Sequence, residues 1–221
     1  MRIDRRLGAA SLSIALAALA GCSTGGQRLT RSGFLGDYDS LAREKDHRNV
    51  ALYVLPGFSA ARYDRVILEP IAWRAPARPE AVEVELKQAF QDRLMKHLSG
   101  RFTVVADAGE AGGKDGVDLS HTLRIRAAIT NSRRATWYAN VAAQAVSGYG
   151  AVMRPSAGGA SEEIEVLDAA SGRRVLAIAT YYNGQFWDVA GSYLQFGHAR
   201  AAFSHGAQVL RGALDDTGAA G

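Results

Sequence analysis

Ser161-Glu162-Glu163-Ile164-Glu165-Val166-Leu167-Asp168, the turn Ala169-Ala170-Ser171-Gly172, and Arg173-Arg174-Val175-Leu176-Ala177-Ile178-Ala179-Thr180 form the stretch whose reading decides the fold. Two runs of strand-forming residues flank four small or turn-forming ones. Asp168 suits one end of the connection, and Gly172 can supply the positive φ needed at the other. The stretch therefore predicts two long antiparallel strands. Glu163 and Glu165 then share the face opposite Ile164 and Val166. For those two acids we expect a solvated outer face, with protein or cation binding as the alternative; the spacing is not that of a calcium loop.

Upstream, Val117, Leu119, Leu123, Ile125, Ala127 and Ile129 alternate with polar residues including Arg124 and Arg126, which predicts a half-buried strand with a polar outer face. Before it, Val82, Leu86, Phe90, Leu94 and Leu98 recur every four residues after Pro79, which predicts a helix beginning near Pro79 and ending at Gly100. Arg101 to Ala106 follows as a strand. Tyr63 to Trp73 reads as a buried strand whose pairing changes at Pro70, and Val50 to Gly57 as a short extended segment ending in a turn. Downstream, Ser192 to Leu214 carries Phe196, Ala199, Phe203, Ala207, Leu210 and Leu214 on one side of a final helix. Asn131 to Gly150 is ambiguous: Trp137 to Val146 is Ala-rich but lacks a defined apolar face. The Gly-rich loop 109–116 fails as a phosphate-binding loop, with Ala108 at the first glycine position and Asp115 after the lysine. The resulting fold class is α+β, a mixed and mostly antiparallel sheet packed against two main helices, with an extended N-terminal tether.

The N-terminus gives a location. Arg2, Arg5 and Arg6 precede an uncharged apolar run, Leu7 to Leu19, of 13 residues. That pattern is a secretory signal, and it is shorter than the roughly 20 residues a spanning helix needs. Leu19-Ala20-Gly21-Cys22 closely resembles the lipobox of bacterial lipoproteins. The resemblance implies cleavage between Gly21 and Cys22 and a diacylglycerol thioether on Cys22, often with a third acyl chain. Each buried methylene stabilises membrane association by about 0.8 kcal/mol, so two or three chains hold firmly. Ser23 rather than Asp after Cys22 resembles outer-membrane sorting, on the periplasmic face, with inner-membrane retention as the alternative.

Composition agrees with one exported globular body. Hydrophobic residues make up 48% and charged residues 22%, and the sole cysteine leaves no internal disulfide to form. The signal contributes three Arg and one Asp, hence +2 of the formal +4, so the mature chain carries +2. This balance, without a Lys/Arg cluster interleaved with aromatics, excludes a typical nucleic-acid binder. We expect a signal peptide over 1–21, a lipidated tether over 22–50, one domain over 51–214 and a flexible tail over 215–221.

Ser32-Gly33-Phe34-Leu35-Gly36-Asp37-Tyr38, Tyr63 to Pro70, Leu123 to Thr130, and Gly159 to Asp168 with Ser171-Gly172, following a lipobox, together resemble the bacterial lipoprotein family known as domain of unknown function 3313. The resemblance implies a location and a fold type but no activity and no catalytic residues. More loosely, the order of elements is similar to periplasmic domains of the curli-secretion lipoprotein and penicillin-binding-protein activator type, which act by binding proteins.

The residues themselves point away from catalysis. His97 sits at a helix end, where a cation suits the dipole. His121 falls on the apolar register of its strand and reads as half-buried. His198 and His205 are seven apart, not the four usual for helical metal ligands, and His47 lies in a charged run. No Gly-x-Ser-x-Gly is present. Tyr181, Tyr182, Phe186, Trp187, Tyr193 and Phe196 make the densest aromatic cluster, mostly core but able to anchor a partner. The expectation is a non-catalytic envelope interaction or assembly module, with no metal and no cofactor beyond the lipid on Cys22. Its partners are the membrane and an envelope protein, the latter met through Glu163, Glu165, Tyr181, Tyr182 and Trp187. The alternatives are a carrier of a small apolar or glycan ligand, which needs a cavity between sheet and helices, and an envelope hydrolase, which needs groups such as His121 facing an acidic residue in a cleft.

Overall fold

The computed structural model describes residues 28–45, 47–106, 119–134, 158–184 and 196–219. They form a mixed sheet with the strand order β1-β2-β8-β7-β6-β3-β5 and a short β4 beside β6. The strands are β1 (Ala42–Arg43), β2 (Val50–Val54), β3 (Arg65–Leu68), β4 (Ala72–Trp73), β5 (Thr103–Ala106), β6 (Thr122–Arg133), β7 (Gly159–Asp168) and β8 (Arg174–Asn183). The two helices are α1 (Glu80–Leu98) and α2 (Gly197–Ala219). β1, β2, β8, β7 and β6 pair antiparallel, while β3, β4 and β5 join the other edge in parallel.

The deciding stretch folds as predicted. β7 and β8 form a long hairpin closed at Asp168 and Gly172, where Gly172 has φ 70° and donates its amide to the Asp168 carbonyl at 2.8 Å. The continuous run Val66-Ile67-Leu68 is fully buried in β3. Pro70 separates β3 from β4, and both pair with β6. The chain thus crosses the sheet once as a broken strand, since proline removes a ladder donor.

One face of the sheet carries Leu123, Ile125, Ala127 and Ile129 of β6, Ala160, Ile164 and Val166 of β7, and Leu176 and Ile178 of β8. These join Leu86, Phe90, Leu94 and Leu98 of α1 and Phe203, Ala207, Leu210 and Leu214 of α2 in one core. Phe90 and Phe203 stack with ring centroids 5.0 Å apart where the helices meet. Beyond the core the helices are clipped together. Arg211 donates to the His97 carbonyl at 3.1 Å and to Asp215 at 2.7 Å, and Arg101 donates to Asp215 at 2.8 Å.

Four expectations need correction. Helix α2 runs to Ala219, so residues 215–219 are its last turn and not a free tail. Leu119–His121 is a 3-10 turn ahead of β6, which moves His121 off the apolar register and leaves it exposed. The spacing of Glu83 with Lys87 and of Asp92 with Lys96 predicts surface pairs on α1, but Glu83 accepts from the Arg78 amide at 3.0 Å, and Asp92 accepts from Gln88 at 2.8 Å. The largest change concerns 22–50. Its described part is no tether, since β1 extends the sheet and residues 28–41 lie as a strap across the second sheet face. The loop 109–116, the stretch 137–146, residues 192–195 and Trp187 lie outside the described residues.

Candidate functional site

The strap explains what becomes of the acidic residues of β7. Glu163 is fully buried and Glu165 is 5% exposed, so the solvated face expected for them does not exist. Ala128 and Ala179, level with Glu163 on either side, and Ala177, level with Glu165 on β8, are small and buried, which leaves room for the strap backbone. Over that floor the Ser32 amide donates to Glu163 Oε1 at 3.1 Å and the Ser32 hydroxyl to Oε2 at 2.7 Å. The Tyr38 hydroxyl also donates to Oε2, at 2.8 Å, and accepts from the Gly33 amide at 2.8 Å. Thr30 bridges Glu163 and Thr130 at 3.3 and 2.6 Å. Gly33 and Gly36 have φ of 85° and 71°, and these left-handed turns wrap the loop around the carboxylate. Burial together with the bond to Glu163 raises the Tyr38 pKa.

Glu165 is held by arginines. Arg126 donates to Oε2 at 2.8 Å and Arg174 to Oε1 at 2.7 Å. Arg174 also donates to the Leu35 and Asp37 carbonyls, and Arg126 lies 5.2 Å over the Phe34 ring. Both glutamates expected to meet a partner are therefore consumed within the chain. Tyr181 and Tyr182 are half-buried on opposite faces of β8. Tyr182 packs against His205 with centroids 5.8 Å apart, and His205 in turn lies 2.9 Å from the Asn49 side-chain amide. His198 is buried in α2. Among the described residues no group of His, Cys, Asp and Glu could hold a metal, and no helix is long and apolar enough to cross a membrane.

The residues that do converge at the surface lie at the far end of the hairpin. A cleft of about 390 Å³ is lined by the loop after β2, the two 3-10 turns and the β7–β8 turn, and includes Arg62, Tyr63, His121, Asp168, Ser171 and Arg173. The Tyr63 hydroxyl donates to Asp168 Oδ2 at 2.8 Å. Ser171 donates to Oδ1 through its amide at 2.7 Å and its hydroxyl at 2.5 Å. Burial works against ionisation of Asp168, but these donors outweigh it and hold the carboxyl below the ordinary carboxylate range. Burial and the same bond raise the Tyr63 pKa. His121 Nδ1 lies 2.9 Å from the Arg62 carbonyl, which can only accept, so Nδ1 carries the proton and Nε2 is the remaining ring nitrogen. His121 and Asp168 thus share a cleft, but their hydrogen bonds serve the turns that form it. Sequence reading missed this site because its residues come from four separate turns. The resemblance stretch Tyr63 to Pro70 and the motif Asp168 to Gly172 were the only traces.

The family model described as protein of unknown function (DUF3313) matches residues 30–210. The chain belongs to the DUF3313 family. Its match begins at Thr30, so the strap belongs to the family unit. No curated protein matches the chain. Among solved structures, the PelC dodecamer from Paraburkholderia phytofirmans is similar at 14% identity with a TM-score of 0.42, covering 71% of this chain and 93% of that one. A putative neuraminyllactose-binding hemagglutinin homolog from Helicobacter pylori is similar at 8% identity with a TM-score of 0.35, covering 69% and 82%. The hypothetical protein CT253 from Chlamydia trachomatis is similar at 15% identity with a TM-score of 0.33, covering 69% and 94%.

Proposed function

We propose that this DUF3313 protein is an envelope lipoprotein, anchored by lipid on Cys22 at the periplasmic face of the outer membrane. In this reading it is a non-catalytic interaction module that offers its partner the cleft at the β7–β8 turn. One observation carries the reading: the start of the strap and the cleft lie at opposite ends of β7. Ser161 donates to the Arg28 carbonyl at 3.1 Å near the start of the strand, and Asp168 at its end forms the cleft. Seven residues of strand separate the two by about 23 Å. Only five residues lie between Cys22 and Arg28, and the six steps from one to the other reach about 20 Å at full extension. An anchor so short holds the strap end near the bilayer and turns the cleft away from it.

The carrier reading has less support, because it needs a cavity between sheet and helices, where Leu86, Phe90, Ile164 and Phe203 are fully buried against one another. The hydrolase reading needs an acid and a histidine acting on each other, and Asp168 and His121 are engaged elsewhere.

The test is crosslinking of the lipidated protein in isolated outer membranes, with a photoreactive side chain in place of Pro56, an exposed residue of the cleft lining, and, separately, at position 74. A discrete protein adduct from position 56, lost in the Cys22→Ala form, is the expected result. Copurification of a lipid or glycan with no adduct at position 56 would replace this reading with the carrier.

A further inference from the structure

The cleft carries positive charge that the fold leaves unused. Four arginines of the sheet are paired: Arg126 and Arg174 with Glu165, Arg124 with Glu69 at 3.4 Å, and Arg65 with Asp64 at 3.8 Å. Arg62 and Arg173 line the cleft from different turns, both exposed, and neither has an ion-pair partner among the described residues. Among the described residues Asp168 is the only acid of the lining, and its two oxygens already receive three donors from Tyr63 and Ser171. The bond from His121 to the Arg62 carbonyl fixes the ring at the cleft wall and ties down the Arg62 backbone. Between these polar groups Leu55, Phe58 and Val175 give the cleft an apolar floor.

We infer that the cleft is a binding site for an oxyanion, a carboxylate or phosphate group on a short apolar stem, gripped by the guanidinium groups of Arg62 and Arg173. A guanidinium presents a planar fork of donors that matches either anion two bonds at a time, and two forks from different turns fix its orientation as well as its charge. The apolar floor takes the stem. This assignment rests on the cleft being the end that meets a partner, and it names the chemistry of what is met.

The experiment is an amide NMR titration of the full mature chain carrying Cys22→Ala, using two separate probes, inorganic phosphate and N-acetyl-alanyl-alanine, at millimolar concentrations. Either probe should produce saturable shifts confined to the amides of Gly57, Arg62, His121, Ser171 and Arg173. Arg62→Gln and Arg173→Gln should each weaken that binding about tenfold or more, while Arg200→Gln, which removes a cation bonded to Glu85 on α1, leaves it unchanged. Both arginines are exposed, so the variants keep the dispersed spectrum of the folded chain. A response to the dipeptide alone assigns a carboxylate, and a response to phosphate alone a phosphate. No localised shift with either probe overturns the inference, as does binding that survives in the double variant. If anion binding is present but position 56 captures no partner, the inference stands and the interaction-module reading falls. If position 56 captures a partner equally well in the double variant, the reverse holds.

Discussion

Four donor contacts converge on Glu163, from Thr30, from Tyr38 and from the amide and hydroxyl of Ser32. Its neighbour Glu162 points to the other face, fully buried, with neither oxygen bonded among the described residues. The two residues should therefore respond in opposite ways to neutralisation. Glu163→Ala strands the strap donors, and buried donors without acceptors cost about 1–3 kcal/mol each, so a loss of about 3 kcal/mol in urea unfolding is expected, with new proteolytic cleavage in 28–41. Burial pushes the Glu162 carboxyl up to about 8. In the unfolded chain a glutamate titrates near 4.3, so between those values the folded state holds a proton that the unfolded state has released. Stability accordingly falls as pH rises from about 4.3 to about 8, then levels. Glu162→Gln should flatten that slope and leave the variant more stable than the parent at pH above 8 by several kcal/mol, read from urea midpoints.

At the scale of elements, α2 tests packing against propensity. A Cβ on Gly206 would lie 2.0 Å from Glu162 Oε2, inside a fully buried interface. Helix propensity alone favours Gly206→Ala by up to about 1 kcal/mol, whereas forcing an atom into a packed site costs about 1–3 kcal/mol. A net loss of about 2 kcal/mol is predicted, largely recovered in a background carrying Glu162→Ala. A double-mutant cycle coupling above about 1 kcal/mol would measure it. The same pair shows what sequence could reveal. The four-residue period of Leu86, Phe90, Leu94 and Leu98 made α1 legible, and the Asp168 to Gly172 turn made the hairpin legible, because each is local. The burial of Glu163 was not legible. Alternation placed it correctly opposite Ile164, but a strand pattern cannot tell solvent from a strap that arrives from 131 residues away. The cleft was hidden for the same reason, since Arg62, His121 and Arg173 meet only through the sheet.

At the scale of the molecule, the strap changes the meaning of the N-terminus. A free tether over 22–50 would let the body stand well away from the bilayer. With 28–41 bound to the sheet, the remaining reach is the short run after Cys22. Under the proposed anchoring, Cys22→Ala should move the protein from the membrane fraction to the soluble periplasmic fraction without changing its thermal unfolding, because residue 22 precedes the described body. The fold class and the family are readable in the sequence, since a long hairpin, two helices and the stretches from Ser32 to Asp168 are sequence features. The orientation we propose is not, because it depends on where one backbone carbonyl, Arg28, meets one hydroxyl, Ser161.

Everything specific in this account, the closed acidic face, the short reach and the outward cleft, depends on the strap being part of the fold. Amide hydrogen exchange at Ser32 and Gly33 in the mature chain tests it directly, since these amides donate to the Glu163 carboxylate and the Tyr38 hydroxyl. Protection comparable to that of β7 amides, lost in Glu163→Ala, is the predicted result. Exchange at the rate of an unstructured peptide would contradict the account and return 22–50 to the status of a tether.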